Sequence, residues 1–360
     1  MHRISGTMFE NIAIRAGSRA IKILRDEGLD LSRVRVLAGA SGSAKFLVLT
    51  GIDRALVSLF KGRTAPLYLI GTSIGAFRMA AFCQQDPLGA IEMLEQEYIA
   101  QKYSLHPTRE EVSRETRRIL DAYIDDAHID AMLDHPFMKI GFLSNKCKGL
   151  LKQEPLFFQW LGLALAAGVN LMNRNWLGYF LERALFCTPG QRPPFAGMDQ
   201  FPMDIHGLTP SNFKSALLSS GSIPVAMEGV SDIAGAPGLF RDGGILDYHL
   251  DIPFLPDSDG LVLYPHFYQT ITPGWFDKGL HRNPCEKNME NVVLIAPSHR
   301  FVQGLPFGKI PDRKDFMTFR GKDADRRAYW RITVEKNRQL GDEFVEAVHS
   351  KQIGQIVTPL

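Results

Sequence analysis

The stretch Pro66-Leu67-Tyr68-Leu69-Ile70-Gly71-Thr72-Ser73-Ile74-Gly75-Ala76-Phe77-Arg78-Met79-Ala80 constrains this chain more than any other. It opens as a short apolar run of strand-forming residues and turns through Gly71-Thr72-Ser73-Ile74-Gly75. It then continues as a helix whose first turn covers Ala76 to Met79. Strand, sharp turn and helix in immediate succession put the serine at the apex. Such a serine needs a cramped backbone, so the positions two before and two after it must be nearly free of side chain. Gly71 and Gly75 meet that demand. The helix beginning at Ser73 points its N-terminal amides and the positive end of its dipole at the same place. Ser73 is therefore a candidate nucleophile for acyl transfer. A tight turn that only packs helix on strand would use the same glycines; the apolar strand before and the helix after favour the nucleophile.

The residues upstream repeat the pattern. Val34-Arg35-Val36-Leu37-Ala38 reads as a strand and enters a small-residue loop, Gly39-Ala40-Ser41-Gly42-Ser43-Ala44-Lys45. A helix follows with Leu49, Ile52, Leu56 and Phe60 on one face and Asp53 and Arg54 outside. Strand, turn, helix, strand, turn, helix implies parallel strands joined by crossover helices, hence an α/β sheet with a site at the C-terminal edge of its strands. A small-residue loop ahead of a helix aims N–H groups at an anion, which makes it either a phosphate cradle or an oxyanion hole. The loop has the spacing of neither G-x-x-x-x-G-K-S/T nor G-x-G-x-x-G, and beside a candidate serine the oxyanion hole fits better.

Further upstream, residues 9–24 read as an amphipathic helix stopping at Gly28. Phe9, Ile12, Ala13, Ala16, Ala20 and Leu24 lie on one side, and Arg15, Arg19 and Lys22 lie elsewhere. Glu10, Asp26 and Glu27 argue against a transit peptide, and no apolar core followed by a small-residue cleavage site marks a Sec signal. The four cysteines, Cys83, Cys147, Cys187 and Cys285, are scattered with no C-x-x-C. That argues against a thiolate metal cluster and suits free thiols in a reducing, cytoplasmic compartment. A net charge of +2 gives no electrostatic footprint for nucleic acid, and none is expected as a partner.

Residues 86–134 are helical and charged. Asp126, Asp130 and Asp134 share a helix face near His128 and His135, as a solvated acidic face or, less ordinarily, a metal site. Residues 155–187 are rich in large apolar groups and leave three readings open. They could form a buried core helix, a lid or interface-seeking surface over a lipid site, or a transmembrane helix, for which the apolar core is borderline against the roughly 20 residues required. Residues 191–204 are a proline-rich connection. Ser215 to Pro224 reads as a helix ending at Gly221 and a proline-stopped turn. Gly238-Leu239-Phe240-Arg241 then leads into Asp242-Gly243-Gly244. An aspartate followed by two glycines at a strand end allows close backbone approach, whether as an exposed functional carboxylate or as a hairpin turn. Residues 260–264 and 291–295 read as strands and 323–349 as a helix. With 360 residues, no internal repeat and no long linker, a single domain with a cap-like insertion is the economical organisation.

Three elements in order, the small-residue loop ending in Lys45, the Gly-Thr-Ser-Ile-Gly turn and the distant Asp-Gly-Gly, resemble the patatin-like phospholipase family. Ser220-Gly221-Ser222-Ile223-Pro224 strengthens the resemblance, which spans about residues 34–85 and 211–255. It implies a three-layer α/β/α fold with a mostly parallel central sheet and an apolar helical cap-like insertion. Residues 30–85 would form the nucleophile half, 150–190 the insertion, 205–300 the half carrying the aspartate, and 320–350 a C-terminal helix. The family uses a serine–aspartate dyad without histidine, so Ser73 would be nucleophile and Asp242 base. Its oxyanion loop has three glycines, any residue, then Arg or Lys; here that register falls on Ser41-Gly42-Ser43-Ala44-Lys45. The backbone N–H groups of Gly42 and Ser43 would hold the oxyanion, with Lys45, Gly71, Gly75, Gly243 and Gly244 in support. Asp247 lies near a position where the family often has a polar residue and is given no catalytic role.

The resemblance implies a lipid acyl hydrolase acting on a phospholipid or acylglycerol, without metal or cofactor. The protein would be cytoplasmic or in transient peripheral contact with a membrane surface; the sequence carries no signal of oligomeric state. Physically, Asp242 must reach Ser73 Oγ within about 2.6–3.2 Å. A carboxylate with an ordinary pKa of about 4 also needs a desolvated pocket to act as a base. Two other readings compete. An α/β-hydrolase triad would need His299 or His349, but Ser73 follows only two strands in this reading and Asp-Gly-Gly would then lack a role. A non-catalytic lipid- or protein-binding module is motivated by the depleted oxyanion loop.

Overall fold

The computed structural model describes residues 9–190, 192–198, 200–256 and 258–360; Gln191, at the start of the proline-rich connection, lies outside them. The chain begins with β1 (Ile12–Ala16), α1 (Ser18–Glu27), β2 (Val34–Gly39), α2 (Thr50–Leu59), β3 (Leu67–Thr72) and α3 (Ile74–Phe82). There follow α4 (Pro87–Ala100), α5 (Arg109–Tyr123), α6 (Ile129–Leu133), β4 (Met138–Cys147), α7 (Leu156–Met172), β5 (Leu181–Cys187) and β6 (Met203–Gly207). Then come α8 (Phe213–Ser220), β7 (Val230–Ile233), β8 (Ala236–Asp242), β9 (Leu261–Pro265), α9 (Glu286–Met289) and β10 (Val292–Pro297). The chain ends with α10 (His299–Gln303), α11 (Asp315–Thr318), α12 (Asp323–His349), α13 (Ile353–Ile356) and β11 (Thr358–Pro359).

The strands form one sheet in the order β11-β1-β10-β9-β2-β3-β4-β5-β6, with β8 joined to β4 and β7 to β8. From β10 through β9, β2 and β3 to β4 every pairing is parallel. β1 runs antiparallel to β10, and β5 and β8 antiparallel to β4. The fold is therefore mixed α/β, a mostly parallel central sheet flanked by helices, and agrees with the three-layer class expected. Central strands buried on both faces cannot alternate, and β9 and β10 are buried at every position.

The register of β4 positions the site. β3 pairs with β4 up to Thr72 opposite Leu143. β5 occupies the other edge of β4, so β8, which pairs Asp242 with Ser144, continues along the edge that β3 leaves. The C-terminal ends of β3 and β8 thus meet at Leu143 and Ser144. Asn145 in β4 fixes the meeting by donating from Nδ2 to the carbonyls of Asp242 (2.7 Å) and Gly243 (3.1 Å).

Several expectations are corrected. Residues 9–24 are not one helix: β1 alternates buried and half-buried residues, and the helix starts only at Ser18. A Cβ on Gly17 would lie 1.8 Å from the Met289 carbonyl oxygen, so only glycine fits where the strand gives way to the helix. Asp53 does not face solvent. It is buried, and its carboxylate accepts two hydrogen bonds from Arg78, at 2.9 and 2.6 Å. Strand β4 stands between the charged helical region and the apolar segment, and a 3-10 helix over Ser43–Val48 precedes α2. Asp126, Asp130 and Asp134 are exposed, Asp126 pairs with Lys214, and no group among the described residues is arranged to hold a metal ion. No helix among the described residues is long and apolar enough to cross a membrane, which removes the transmembrane reading of residues 155–187. α7 instead buries Gln159, Gly162, Leu163, Ala166 and Asn170 and exposes Phe157, Trp160, Leu161, Leu165, Leu171 and Met172. It carries no charged side chain along its 17 residues.

Candidate active site

The turn at the end of β3 is as cramped as its glycines imply. Ser73 has φ 52° and ψ −128°, in the left-handed half of the map where a side chain is strained by about 1–3 kcal/mol. A Cβ on Gly71 would lie 2.5 Å from the Ala76 nitrogen, and one on Gly75 would lie 2.1 Å from the Gly39 carbonyl oxygen. Only glycine allows α3 to press this closely on β2 and β3. The strained serine is held from three sides. Its N–H donates to Ser220 Oγ (3.0 Å), which donates in turn to the Leu143 carbonyl (2.7 Å). Its carbonyl accepts from the Ala76 N–H at 2.9 Å. The preceding Thr72 Oγ1 donates to the Asp247 carbonyl at 2.9 Å.

Ser73 Oγ donates directly to Asp242 Oδ2 at 2.7 Å, with both residues buried. Asp242 Oδ1 accepts from the Gly244 N–H, also at 2.7 Å. Burial raises the Asp242 carboxyl from its ordinary range to about 6, against the lowering pull of the Ser73 and Gly244 hydrogen bonds and of the Lys278 and Arg313 charges. A carboxylate so placed is a much better proton acceptor than one in water. Both glycines after it are required by close approach. A Cβ on Gly243 would lie 2.1 Å from the Leu143 carbonyl oxygen, and one on Gly244 would lie 2.5 Å from Ser41 Oγ. His299 and His349 are exposed and hydrogen-bond to neither Ser73 nor Asp242.

The Ser41–Lys45 loop comes up against the same turn. The Ser41 N–H is committed to the Tyr248 carbonyl (3.0 Å), whereas the Gly42 and Ser43 amides donate to no group among the described residues. Gly42 has room for no side chain, since a Cβ would lie 2.5 Å from the Phe267 ring. Ser43 takes φ 53°, a conformation glycine would adopt without strain, and its hydroxyl is tied to the Tyr98 hydroxyl at 2.8 Å. The serine thus keeps a glycine-like backbone through a side-chain bond. Lys45 folds over Phe267 and Tyr268, its ammonium 5.4 and 5.9 Å from the ring centroids, and burial pushes its pKa down.

Several residues around this site are not anticipated by the sequence. Asn145 supports the two turns and carries no motif of its own, and the bonds that Ser220 and Ser41 make to these turns come from the fold rather than from the motifs in which they lie. Lys278 is exposed as a whole residue, but its ammonium lies 3.8 Å from the Tyr248 ring centroid. Burial of that end, and then the charges of Lys45 and Arg313, push it down to about 7. Asp247 pairs through both oxygens with Arg183, at 2.8 and 2.7 Å, in a fully buried ion pair that braces the same turn.

No family model matches the chain, and no curated protein matches it. Among solved structures it is similar to VipD from Legionella pneumophila, with 11% sequence identity and a TM-score of 0.30. The match covers 75% of this chain and 56% of that chain. So slight a likeness transfers nothing to the residues above.

Proposed function

We propose that the protein is a lipid acyl-ester hydrolase of patatin type, with Ser73 as nucleophile and Asp242 as its base. The observation that carries this is the direct 2.7 Å hydrogen bond from Ser73 Oγ to a carboxylate whose pKa burial has raised. Asp242 accepts the hydroxyl proton as Oγ attacks the ester carbonyl carbon, and the free amides of Gly42 and Ser43 receive the oxygen that becomes negative. The C–O bond to the alcohol breaks, and the alcohol leaves with the proton held by Asp242. Water, deprotonated by the same carboxylate, then attacks the acyl-enzyme, releases the fatty acid and restores Ser73. Every atom in the cycle comes from ester, water and these side chains.

That the acyl chain belongs to a lipid is supported by α7, whose uncharged exposed face carries Phe157 and Met172 at 71% and 75% exposure together with Trp160 and Leu171. We include transient contact of this face with a membrane surface in the proposal, since amphipathic aromatic rings favour the bilayer interface. The test is turnover of a panel of phospholipids and acylglycerols by wild type and Ser73→Ala, alongside labelling by a fluorophosphonate. Turnover that survives in Ser73→Ala would refute the nucleophile. A folded wild-type protein that is neither labelled nor active, with or without detergent, would favour a non-catalytic binding module.

A further inference from the structure

Residue 43 is a serine at a backbone position that calls for glycine, and the chain meets that demand from another helix. With φ at 53°, Ser43 stands in the left-handed region, where a Cβ crowds the neighbouring backbone. A serine stays there only if something holds it. The hold is a hydrogen bond of 2.8 Å between its hydroxyl and that of Tyr98, in α4. Ser43 opens the 3-10 helix Ser43–Val48, in which residues three apart project from one face. Phe46 is the residue three further on, and its ring meets the Tyr98 ring edge to face at 5.0 Å. One turn of backbone is therefore gripped twice by the same tyrosine, through a hydroxyl and through a ring.

Tyr98 is itself fixed from several sides. Its ring stacks on that of Trp330 at 6.0 Å, and Trp330, fully buried in α12, donates from Nε1 to Asp315 Oδ2 at 3.0 Å. Its carbonyl accepts from Gln101 Nε2 at 2.7 Å, and Gln101 Oε1 accepts from the Tyr103 hydroxyl at 2.7 Å. Arg326, buried against the rings of Trp330 and Phe316, donates to the Gln101 carbonyl, which the end of α4 leaves without a helical partner. Backbone strain persists only where the surroundings over-determine it, and an anchor held this way supplies that condition for Ser43.

We propose that Tyr98 is a positioning residue for acyl transfer. Through Ser43 Oγ it holds the Gly42 and Ser43 amides in the orientation that receives the oxyanion, and so does for this loop what a glycine at position 43 would do. The proposal rests on the acyl-hydrolase reading and adds to it a residue that hydrogen-bonds to neither member of the dyad. The φ angle of Ser43 sets the direction of its N–H relative to the rest of the loop. Donors aimed at the place where charge develops act on the transition state far more than on the bound ester. Cutting the tether therefore lowers kcat and leaves KM near its wild-type value.

The test measures kcat and KM on a soluble short-chain ester for wild type, Tyr98→Phe, Ser43→Ala and the double variant Ser43→Gly with Tyr98→Phe. Tyr98→Phe keeps the ring between Phe46 and Trp330 and removes only the hydroxyl. It should lower kcat about ten- to hundredfold, the scale of a displaced reacting group, with KM changed by less than about twofold. Ser43→Ala cuts the same bond from the other side and should lose about as much. The double variant should regain about tenfold in kcat over Tyr98→Phe, because glycine takes a positive φ without a tether. Lost packing around residue 98 would not be rescued in this way, since glycine at position 43 returns no contact to it. A double variant no faster than Tyr98→Phe overturns the proposal, as does wild-type kcat in Tyr98→Phe. A second arm is independent of turnover: crystal structures of wild type and Tyr98→Phe should show residue 43 leaving the left-handed region in the variant, and an unchanged φ overturns the proposal. A wild type that hydrolyses no ester, with the backbone shifting as expected, would sink the hydrolase reading and leave the tether standing; full turnover in Tyr98→Phe would sink only this inference.

Discussion

Asp242→Asn should abolish turnover while making the folded protein more stable, and the two effects have one cause. Asparagine nearly matches the carboxylate in shape. Its oxygen can still accept from the Gly244 N–H, and its amide can donate to Ser73 Oγ, so the turn need not move. The loss is the proton acceptor, and removing a general base costs about 10²- to 10⁴-fold in kcat. The gain comes from linkage. A carboxyl raised from 3.8 to about 6 on folding is stabilising only while protonated, and that contribution disappears as pH rises through the folded value. Above pH 6 the ionised form therefore costs the fold about 3 kcal/mol relative to a neutral group. With about 1 kcal/mol subtracted for the weaker hydrogen bond, Asp242→Asn should gain about 2 kcal/mol at pH 7.5. For a chain of this length that is a rise of about 3 °C in Tm. At pH 4.5 the wild-type penalty has shrunk to about 1 kcal/mol, so the gain should vanish. Thermal unfolding of both proteins at the two pH values, with ester hydrolysis at the upper one, checks each part. A variant that keeps its turnover, or a Tm difference that is the same at both pH values, would refute the reasoning.

Hydrolysis of a neutral ester should depend on pH through Asp242 alone: kcat/KM should fall tenfold per pH unit below about 6 and level off above it, as read from a rate profile. Gly75→Ala would press a methyl to 2.1 Å from the Gly39 carbonyl oxygen, so the β2–α3 contact must open. A loss of about 3 kcal/mol or more in urea unfolding is expected, together with loss of fluorophosphonate labelling at Ser73. Asp247→Asn leaves the Arg183 guanidinium buried without its counter-charge and should cost about 3–5 kcal/mol by the same measurement. Trp160→Glu puts a charge on the exposed apolar face of α7; it should weaken binding to phospholipid vesicles, measured by co-sedimentation, and leave hydrolysis of a soluble short-chain ester within twofold.

The features legible in the sequence are those that local chemistry decides. The turn at Ser73 is written in residues 66–80 because strand propensity, two glycines and a helix start lie within fifteen positions, and no distant partner is needed to read them. The same holds for α12, whose bounds match the expected helix over 323–349. β1 reads as helix because Ile12 and Ala16 fit both a helical and an alternating period. Pairing with β10, almost three hundred residues away, makes the choice, together with the Met289 carbonyl against Gly17.

β4 shows why the supporting residues of the site stay hidden. Gly141, Ser144, Asn145 and Lys146 would weaken any strand assignment made from sequence. Yet it is these polar positions that let β4 hold two neighbours end to end. Asn145 reaches the carbonyl of Asp242, and Ser144 Oγ meets Ser219 Oγ at 2.6 Å. Asp53 reads as a surface residue for the converse reason: a charge on a helix faces water unless a partner is brought to it, and Arg78 becomes that partner only once α3 has folded back. A strained turn can therefore be read from the residues beside it, whereas a buried counter-charge becomes visible only when the fold brings its partner to it.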